Sequence, residues 1–550
     1  MSTSRDKPIK RQSAQRSSHP TGNEPLPAFL RRVAIGVVIA AIVQLVLLWG
    51  TSLPLGIPEE WTWARCDFSV LDLGGLLAPF LAGVFLCGIA SFVAPRINQF
   101  TQRGKATALL LLWGCGVVWL FSTVSAAPGI AGLSRAPFVL YYTRSSGYFT
   151  QAREDVTNVR EFLRTYRERI NDSSQPENYL HLGTHPPGLT LSIVGIRNAC
   201  EHLPALRAFL KTTQPASIRE SLTTISQLIT PEARETWETD SATLWAMTVI
   251  VALLATGACV PLYLLCRRTV SSEVAVWVAT FWLLVPAMAI FFPKSDVMFA
   301  GLAMWIQWLW LEGVTRRSVR FGIAAGTLIF IAVNLSLAFV PIGLILVLQG
   351  FCVDRQLQTD SSAEKRGIEW ARARIYWSSA LAFFALILLA WLIGEINLID
   401  VWFQNLRNHA AFYDHATRTY LAWLIVNPIE LSIAIGMPLF LMGLLGLWTI
   451  FSESQNTRPW LAVLSSRGEI LIPILVWAIL WVSGKNMGEA ARLWGFLMPY
   501  AVWLTAFLLE KWHRNDRFPR WVLGLFLVQM VTCVATVIRI DGFHFAELLS

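Results

Sequence analysis

The chain has 550 residues, of which 54% are hydrophobic and only 15% are charged. Soluble domains carry about 25% charged residues, so this composition excludes a soluble fold and indicates a membrane protein. The formal net charge is +9, but most Lys and Arg residues lie in short segments between apolar runs. There they set topology and contact membrane lipids, so the charge does not indicate nucleic-acid binding.

Apolar runs of roughly the length that crosses a hydrocarbon core of about 30 Å occur along almost the whole chain. They predict an all-α polytopic fold of about 13 transmembrane helices, with juxtamembrane helices on the outer face. Residues 1–31 are predicted to be a disordered basic cytoplasmic tail, 32–105 two additional N-terminal spans, and 106–540 the main membrane domain. The predicted spans are 32–52, 75–95, 106–126, 243–265, 272–292, 296–313, 320–335, 337–352, 376–397, 430–451, 470–484, 493–510 and 521–539.

The distribution of cations predicts which ends of the spans face the cytoplasm. Arg31 and Arg32 lie at the start of the first span, and every further connection predicted to be inside is basic. The N-terminus is therefore expected in the cytoplasm, and the C-terminus on the outer side of the inner (plasma) membrane. This parity requires 186–203 to lie on the outer surface as a helix rather than to cross. The segments that it gathers on the outer side are 127–242, 294–296, 398–429 and 484–492.

Residues 127–242 form a large outer (periplasmic) loop in this topology. Apolar residues recur there every three or four positions over 150–170, which predicts an amphipathic surface helix. Thr184-His185-Pro186-Pro187-Gly188 follows, and its Pro-Pro pair fixes an extended backbone and starts a helix. His185 is thereby held at the membrane rim, where it either carries a proton or only caps the helix, and the residues alone favour neither.

Two further outer clusters contain cations suited to a phosphate. Lys294 and Asp296 lie together at a junction between spans. Lys485, Glu489 and Arg492 lie between the predicted spans 470–484 and 493–510, and Arg is the favoured group for forked recognition of phosphate. Glu489 and Arg492 are three residues apart, so they equally fit an exposed pair that caps a helix.

The outer segment 407–420 is rich in aromatic and histidine residues, as in a lid or a sugar-binding surface. His409 and His415 lie six residues apart with Asp414 between them, but this spacing fits no standard metal site. No metal or cofactor is therefore assigned, and a divalent cation is left open without support.

Several of these motifs together resemble the GT-C superfamily, integral membrane glycosyltransferases that depend on polyprenyl phosphates. The chain is similar to the branch that holds the protein O-mannosyltransferases and the lipid A aminoarabinose transferases, above all to bacterial members with a Thr-His-Pro-Pro-Gly motif. The resemblance covers roughly residues 106–510. The motifs that carry it are Tyr148-Phe149-Thr150-Gln151-Ala152, Thr184-His185-Pro186-Pro187-Gly188, Tyr263-Leu264-Leu265-Cys266-Arg267-Arg268 and the block 488–499.

The resemblance implies transfer of a sugar from a polyprenyl-phosphate-linked donor to an acceptor on the outer face, the acceptor being a lipid, a glycan or a protein. It gives the donor phosphate to Lys294, Lys485 and Arg492. The residues expected to support the site are Tyr148, Asp296, Glu489, His409 and His415.

One part of the family pattern is missing from this sequence. The acidic pair that usually precedes the Tyr/Phe-x-x-Ala helix is replaced by Arg144-Ser145-Ser146-Gly147. An acceptor hydroxyl needs a base within hydrogen-bond reach, so Asp155 and Glu154 become the catalytic candidates beside His185. Asp155 is preferred, because the neighbouring Arg153 and Arg160 are expected to keep it ionised, although a solvated acid on a helix face fits the same pattern. The alternatives in the preceding outer loop are Asp67 and Asp72.

Two other classes of protein remain as alternatives. A transporter or lipid flippase would place ionisable residues and broken helices near the bilayer midplane, whereas here the polar groups gather at one mouth. A non-catalytic scaffold in envelope assembly would look like a family member that has lost its acid.

Overall fold

This computed structural model describes residues 26–171, 182–358, 365–415, 417–454, 460–513 and 515–543, and most of these residues are helical. Within these residues, eight helices are long and apolar enough to cross a membrane, or nine if one bent pair counts as a span. The chain is therefore an all-α, multi-pass membrane protein, whereas the predicted number of thirteen spans is not confirmed. The eight are Ala28–Gly50, Val70–Arg96, Gln102–Ser125, Trp237–Cys266, Ser272–Ile290, Ser295–Arg316, Ala373–Gly394 and Phe518–Val537.

The α-helices are numbered along the described chain. Those up to the end of the long loop are α1 Leu26–Leu45, α2 Leu77–Val93, α3 Gln102–Ser125, α4 Arg135–Tyr141, α5 Tyr148–Glu154, α6 Val159–Asn171, α7 Gly188–His202, α8 Pro204–Thr213, α9 Ala216–Leu228 and α10 Pro231–Glu235. Those of the middle are α11 Trp237–Gly257, α12 Cys259–Cys266, α13 Ser272–Leu283, α14 Pro286–Ile290, α15 Phe299–Arg316, α16 Val319–Leu335, α17 Val340–Gln358 and α18 Lys365–Gly394. The last are α19 Leu398–His415, α20 Tyr420–Ile435, α21 Met437–Ser454, α22 Trp460–Val482, α23 Ala490–Leu493, α24 Met498–His513 and α25 Phe518–Val537.

Several predicted boundaries differ from the observed ones. The first helix begins at Leu26 rather than at residue 32, and the part of the predicted tail before it lies outside the described residues. The predicted spans 320–335 and 337–352 correspond to two shorter apolar helices, Val319–Leu335 and Leu337–Cys352. The predicted surface helix 186–203 is α7, whose 15 residues are not among the candidate spans.

The predicted span 430–451 is wrong as a single helix, because the chain turns by 109° between α20 and α21. Gly436 at the turn has φ 91°, and a Cβ there would lie 2.4 Å from the Gln529 amide, so no other residue fits. The Gln529 side chain donates to Ile435 O at 3.0 Å, and the Gln44 side chain accepts from Met437 N at 2.6 Å. These two buried amides supply the partners that the broken helix lacks, as the interior of a membrane protein requires.

A small antiparallel sheet joins the connection after α1 to the chain after α25, and the sequence did not predict it. Its strands, in spatial order, are β1 Leu55–Ile57, β2 Trp61–Arg65 and β3 Ile540–Asp541. The connection after α1 and the chain after α25 therefore lie at the same end of the bundle. This end is called the hairpin end, after the β1–β2 hairpin.

An ionic cluster marks the opposite end of the bundle. Arg268 pairs with Glu469 at 2.8 Å and with Glu312 at 3.1 Å, and His513 lies 3.0 Å from Glu273. These residues lie in or next to the connections that were predicted, from their Lys and Arg residues, to face the cytoplasm. The segments that were predicted to lie on the outer side meet at the hairpin end.

Candidate functional site

A cavity of about 490 Å³ opens at the hairpin end in the described part of the chain. All four segments predicted to share the outer side contribute to its lining. The residues of the site prediction that line it are Tyr148, His185, Lys294, Asp296, His409, Glu489 and Arg492.

The first source of positive charge in the cavity is the turn 291–296, called the first cation turn. Lys294 is only 7% exposed and has no side-chain hydrogen bond or ion pair with any described residue. Burial lowers the pKa of its ammonium to about 7, and the charge of Arg492 acts in the same direction. An unpaired buried ammonium is costly unless an anion joins it, so this group points to an anionic ligand.

A buried arginine fixes the backbone of the first cation turn. Arg135 in α4 is 2% exposed and donates to Phe292 O at 3.0 Å, Ala289 O at 2.5 Å and Ile290 O at 2.8 Å. These carbonyls lie at the end of α14, where a helix has no partners of its own for them. Arg135 thereby holds the turn from behind and leaves Lys294 as the cation that faces the cavity.

The second source of positive charge is the segment 484–492, called the second cation turn. Arg492 donates to Glu489 at 2.8 Å, and its Nε lies 3.7 Å from an Asp296 carboxylate oxygen. Burial acts to lower the Arg492 pKa, but the charges of Glu489 and Asp296 outweigh it and raise the pKa above its ordinary value. Arg492 is therefore a permanent cation within reach of a ligand that approaches Lys294.

The second cation turn has an unusual backbone. Asn486 and Glu489 both have positive φ, 60° and 55°, which non-glycine residues rarely adopt. The Ala491 N–H that follows donates to the carboxylate of Glu430 in α20 at 3.0 Å, and Glu430 is only 5% exposed. Such conformations persist where the surroundings enforce them and are concentrated at functional sites.

The Thr-His-Pro-Pro-Gly motif forms another wall of the cavity. The His185 carbonyl accepts from the Tyr166 hydroxyl at 2.9 Å and from the Asn405 amide at 3.0 Å, so the loop is fixed from both sides. The His185 ring lies edge-on to Tyr148, and its Nδ1 is 3.0 Å from the Thr184 hydroxyl. Gly188 is required at the end of the motif, because a Cβ there would lie 2.2 Å from Asn334 O.

Helix α19 supplies aromatic and imidazole groups to the cavity. His409, Phe412 and Tyr413 line it, and the Met487 N–H donates to the Tyr413 hydroxyl at 3.3 Å. Burial lowers the pKa of His409, and the charge of Lys485 adds to this effect. Lys485 itself is exposed and does not line the cavity, so the structure places it at the rim rather than beside Lys294.

The remaining wall of the cavity is apolar, and part of it belongs to a candidate span. It is built by one face of α7 and by α11, inside the candidate span Trp237–Cys266. The wall residues are Leu189, Ile193, Ile196, Met247, Ile250 and Val251. The cavity is therefore amphipathic, with the cations Lys294 and Arg492 in one part of its lining and an apolar surface in another.

The acids proposed from sequence as catalytic bases lie away from this cavity. Asp155 and Glu154 are exposed, and neither lines it. Asp155 lies 3.8 Å from Arg169, whereas Arg153 pairs with Asp240 and Arg160 with Glu395, so the predicted local partners of Asp155 are wrong. The reason is a break at Asn158, whose side chain caps α6 and divides the predicted helix 150–170 in two.

The other sequence candidates lie outside the cavity or outside the described part of the structure. Asp67 is exposed, and Asp72 bonds to Ser69 at the start of a 3₁₀ turn. The His415 side chain lies outside the described residues. The described residues contain no group of three or more His, Cys, Asp or Glu side chains suited to a metal ion.

Three residues at the site were missed from sequence. Glu430 is an acid inside an apolar helix, and that isolation is a signal that could have identified it. Arg135 and Trp61 were missed for another reason: only the tertiary fold brings them to the cavity, and no local pattern distinguishes them.

The chain was compared with protein-family models and with curated proteins. No protein-family model matches the chain, and no curated protein matches it.

Proposed function

We propose that the chain is a membrane glycosyltransferase that moves a sugar from a polyprenyl-phosphate-linked donor to an acceptor at the hairpin end. The observation that carries the proposal is the amphipathic cavity. An unpaired buried ammonium, Lys294, and an adjacent guanidinium, Arg492, face the same space as an apolar wall that continues into the membrane. A lipid phosphate that bears a sugar has this combination of an anionic group and a hydrocarbon chain.

The cations account for the departure of the lipid phosphate. When the bond between the anomeric carbon and the phosphate oxygen breaks, its electron pair goes to that oxygen, where negative charge develops. Lys294 and Arg492 stabilise this charge in a site with little water, where such stabilisation is strongest. Arg492 exchanges part of its contact with Glu489 and Asp296 for the phosphate.

The acceptor side of the reaction needs a base, and we assign that role to Asp296. Its carboxylate lines the cavity, and its one ion pair with a described residue is the 3.7 Å contact to Arg492, so its oxygens keep free lone pairs. The acceptor hydroxyl gives its proton to Asp296 while its oxygen attacks the anomeric carbon from the face opposite the phosphate. The transfer therefore inverts the anomeric centre, and Asp155 has no catalytic part in it.

The topology belongs to the same proposal. Counting the bent pair as one span, thirteen crossings result if four further helices cross, which are Val319–Leu335, Leu337–Cys352, Trp460–Val482 and Met498–His513. The basic connections at the end opposite the hairpin then face the cytoplasm. The N-terminus is cytoplasmic, and the cavity opens on the outer side of the inner membrane.

The proposal is tested by donor consumption in proteoliposomes that contain a radiolabelled polyprenyl-phosphate sugar. Wild type is expected to consume donor, and Arg492→Ala to slow consumption by roughly 100- to 1,000-fold, as loss of one electrostatic stabiliser does. Lys485→Ala removes a nearby cation outside the cavity and is the matched control, expected to stay near wild type. Lack of consumption with every donor tried, or full activity of Arg492→Ala, would contradict the proposal.

A transporter or lipid flippase is the second candidate, and one feature favours it. Transporters use helices broken at membrane depth beside buried ionisable groups. The bend at Gly436 and the buried Glu430 one and a half turns before it match that description. Movement of a fluorescent polyprenyl phosphate between leaflets without any donor consumption would support this function instead.

A further inference from the structure

The β1–β2 hairpin lies outside the stretch that resembles the glycosyltransferases, yet it forms part of the cavity. Trp61 at the start of β2 is among the lining residues. The hairpin follows α1, so the first spans of the chain are connected directly to the proposed site. A ligand that fills the cavity is therefore within reach of Trp61.

Glu60 anchors the hairpin to the segment that begins α20. Its carboxylate accepts from the Thr419 backbone N–H at 2.9 Å and from the Trp423 indole N–H at 2.6 Å. Its backbone carbonyl accepts from the Arg418 guanidinium at 2.6 Å. Hydrogen bonds that involve charged groups are the stronger kind, so Glu60 fixes the orientation of Trp61, the next residue.

The anchored hairpin touches both cation turns. The Trp63 ring lies 6.2 Å from the Phe291 ring, and Phe291 O accepts from the Lys294 N–H at 2.9 Å within the first cation turn. On the other side, the Trp61 ring lies 6.3 Å from the Trp423 ring.

Trp423 and Arg418 extend this contact to the second cation turn. Trp423 lies against Gly488, where a Cβ would be 3.3 Å from the indole, and Arg418 donates to Met487 O at 3.2 Å. The hairpin that carries Trp61 therefore contacts residues next to both Lys294 and Arg492. A phosphate held by Lys294 and Arg492, and any group attached to it, would occupy the cavity that Trp61 also lines.

The Trp61 side chain has two features that suit a sugar. Its half-buried ring offers an aromatic face, whose negative π-surface attracts the C–H groups on one face of a sugar ring. Its indole N–H has no hydrogen-bond partner among the described residues, whereas that of Trp423 donates to Glu60. An N–H left free at a cavity wall can donate to a sugar hydroxyl.

We infer that Trp61 is a specificity-determining residue that stacks on the sugar of the donor and donates to one of its hydroxyl groups. The inference rests on the proposed function, because it requires a sugar attached to the phosphate at Lys294 and Arg492. It assigns phosphate binding to the two cation turns and sugar recognition to the N-terminal hairpin. The two roles are separable by experiment.

The test compares variant with wild type, in full-chain nanodiscs, for two lipids that differ in the sugar and therefore in the phosphate, a monoester in one and a diester in the other. One is bare polyprenyl phosphate, and the other is the same lipid bearing a sugar, drawn from a panel of hexoses and pentoses. Trp61→Ala is expected to weaken binding of the sugar-bearing lipid about tenfold, the size of one aromatic contact, and to leave the bare lipid within about twofold. Trp61→Phe keeps the ring but not the N–H and is expected to fall between Trp61→Ala and wild type.

Trp377→Ala is the matched control, since Trp377 is 73% exposed on a candidate span and does not line the cavity. It is expected to bind both lipids like wild type. Equal losses for both lipids in Trp61→Ala, or no loss for either, would overturn the inference while leaving the proposed function in place. Failure of wild type to bind either lipid would overturn both.

Discussion

Raising the pH is expected to weaken donor binding through Lys294. Its pKa is lowered to about 7 by burial, so the ammonium that faces the cavity loses its proton in the physiological range. Below pH 7 the cation is present and available to a phosphate. Above pH 7 the neutral amine dominates, and the cavity loses the positive charge of Lys294.

The size of the effect follows from the charged fraction of Lys294. With a pKa of about 7, roughly nine-tenths of the side chains are protonated at pH 6 and roughly one-tenth at pH 8. Apparent affinity scales with the fraction of binding-competent protein, so the dissociation constant is expected to rise about tenfold between these pH values, or about 1.4 kcal/mol. Bound donor raises the Lys294 pKa in turn, because binding favours the charged form.

The assay is binding of a sugar-bearing polyprenyl phosphate in nanodiscs between pH 6 and pH 8. The sugar diester is the right probe, because a bare phosphate itself changes charge near pH 6. Lys294→Met is expected to bind weakly at both pH values with no tenfold change. A flat wild-type profile would refute the reasoning. An equal slope in Lys294→Met would also refute it and would point to another titrating group, such as His409.

Three substitutions test other parts of the site. Asp296→Asn is expected to slow sugar transfer roughly 100- to 10,000-fold with donor binding retained, while Asp155→Asn stays within about twofold; the reverse order of rates would return the base to Asp155. Glu430→Leu leaves the Ala491 N–H without its acceptor and is expected to lower stability by about 1–3 kcal/mol and to weaken donor binding. Glu430→Gln keeps an acceptor and is expected to bind donor like wild type. Equal donor binding by the two variants in the nanodisc assay would show that Glu430 does not support the second cation turn. Arg135→Lys cannot reach all its carbonyl acceptors and is expected to lower the melting temperature and donor affinity together, and an unchanged affinity would show that the first cation turn holds without the guanidinium.

Membrane character and the gathering of the outer segments could be predicted from the sequence, because both depend on local properties. Apolar length identified the long spans, and the positions of Lys and Arg sorted the connections into two groups that the structure brings to opposite ends. Lys294 and His185 were also found, since each stands next to Pro beside an apolar run, and Arg492 was found because it lies with Lys485 and Glu489 just before the predicted span 493–510. All three line the same cavity.

The features that could not be predicted from the sequence are those that depend on residues distant in the chain. Hydropathy runs continuously through Gly436, and only the Gln44 and Gln529 side chains, hundreds and tens of residues away, make the 109° turn acceptable. The sheet between the hairpin and β3 joins residues almost 500 positions apart. Asp155 was preferred because Arg153 and Arg160 are near it in sequence, whereas in the fold these arginines pair with Asp240 and Glu395.

The most direct test of the central claim is to locate the lipid chain of the donor. A polyprenyl-phosphate sugar with a photoreactive group in its first isoprene unit would be bound in proteoliposomes, irradiated, and its attachment site mapped by mass spectrometry. Attachment is expected at Ile196 in α7 or at Met247 or Ile250 in α11, and unlabelled donor is expected to compete with it. Attachment confined to lipid-facing helices such as α18, without competition, would contradict it.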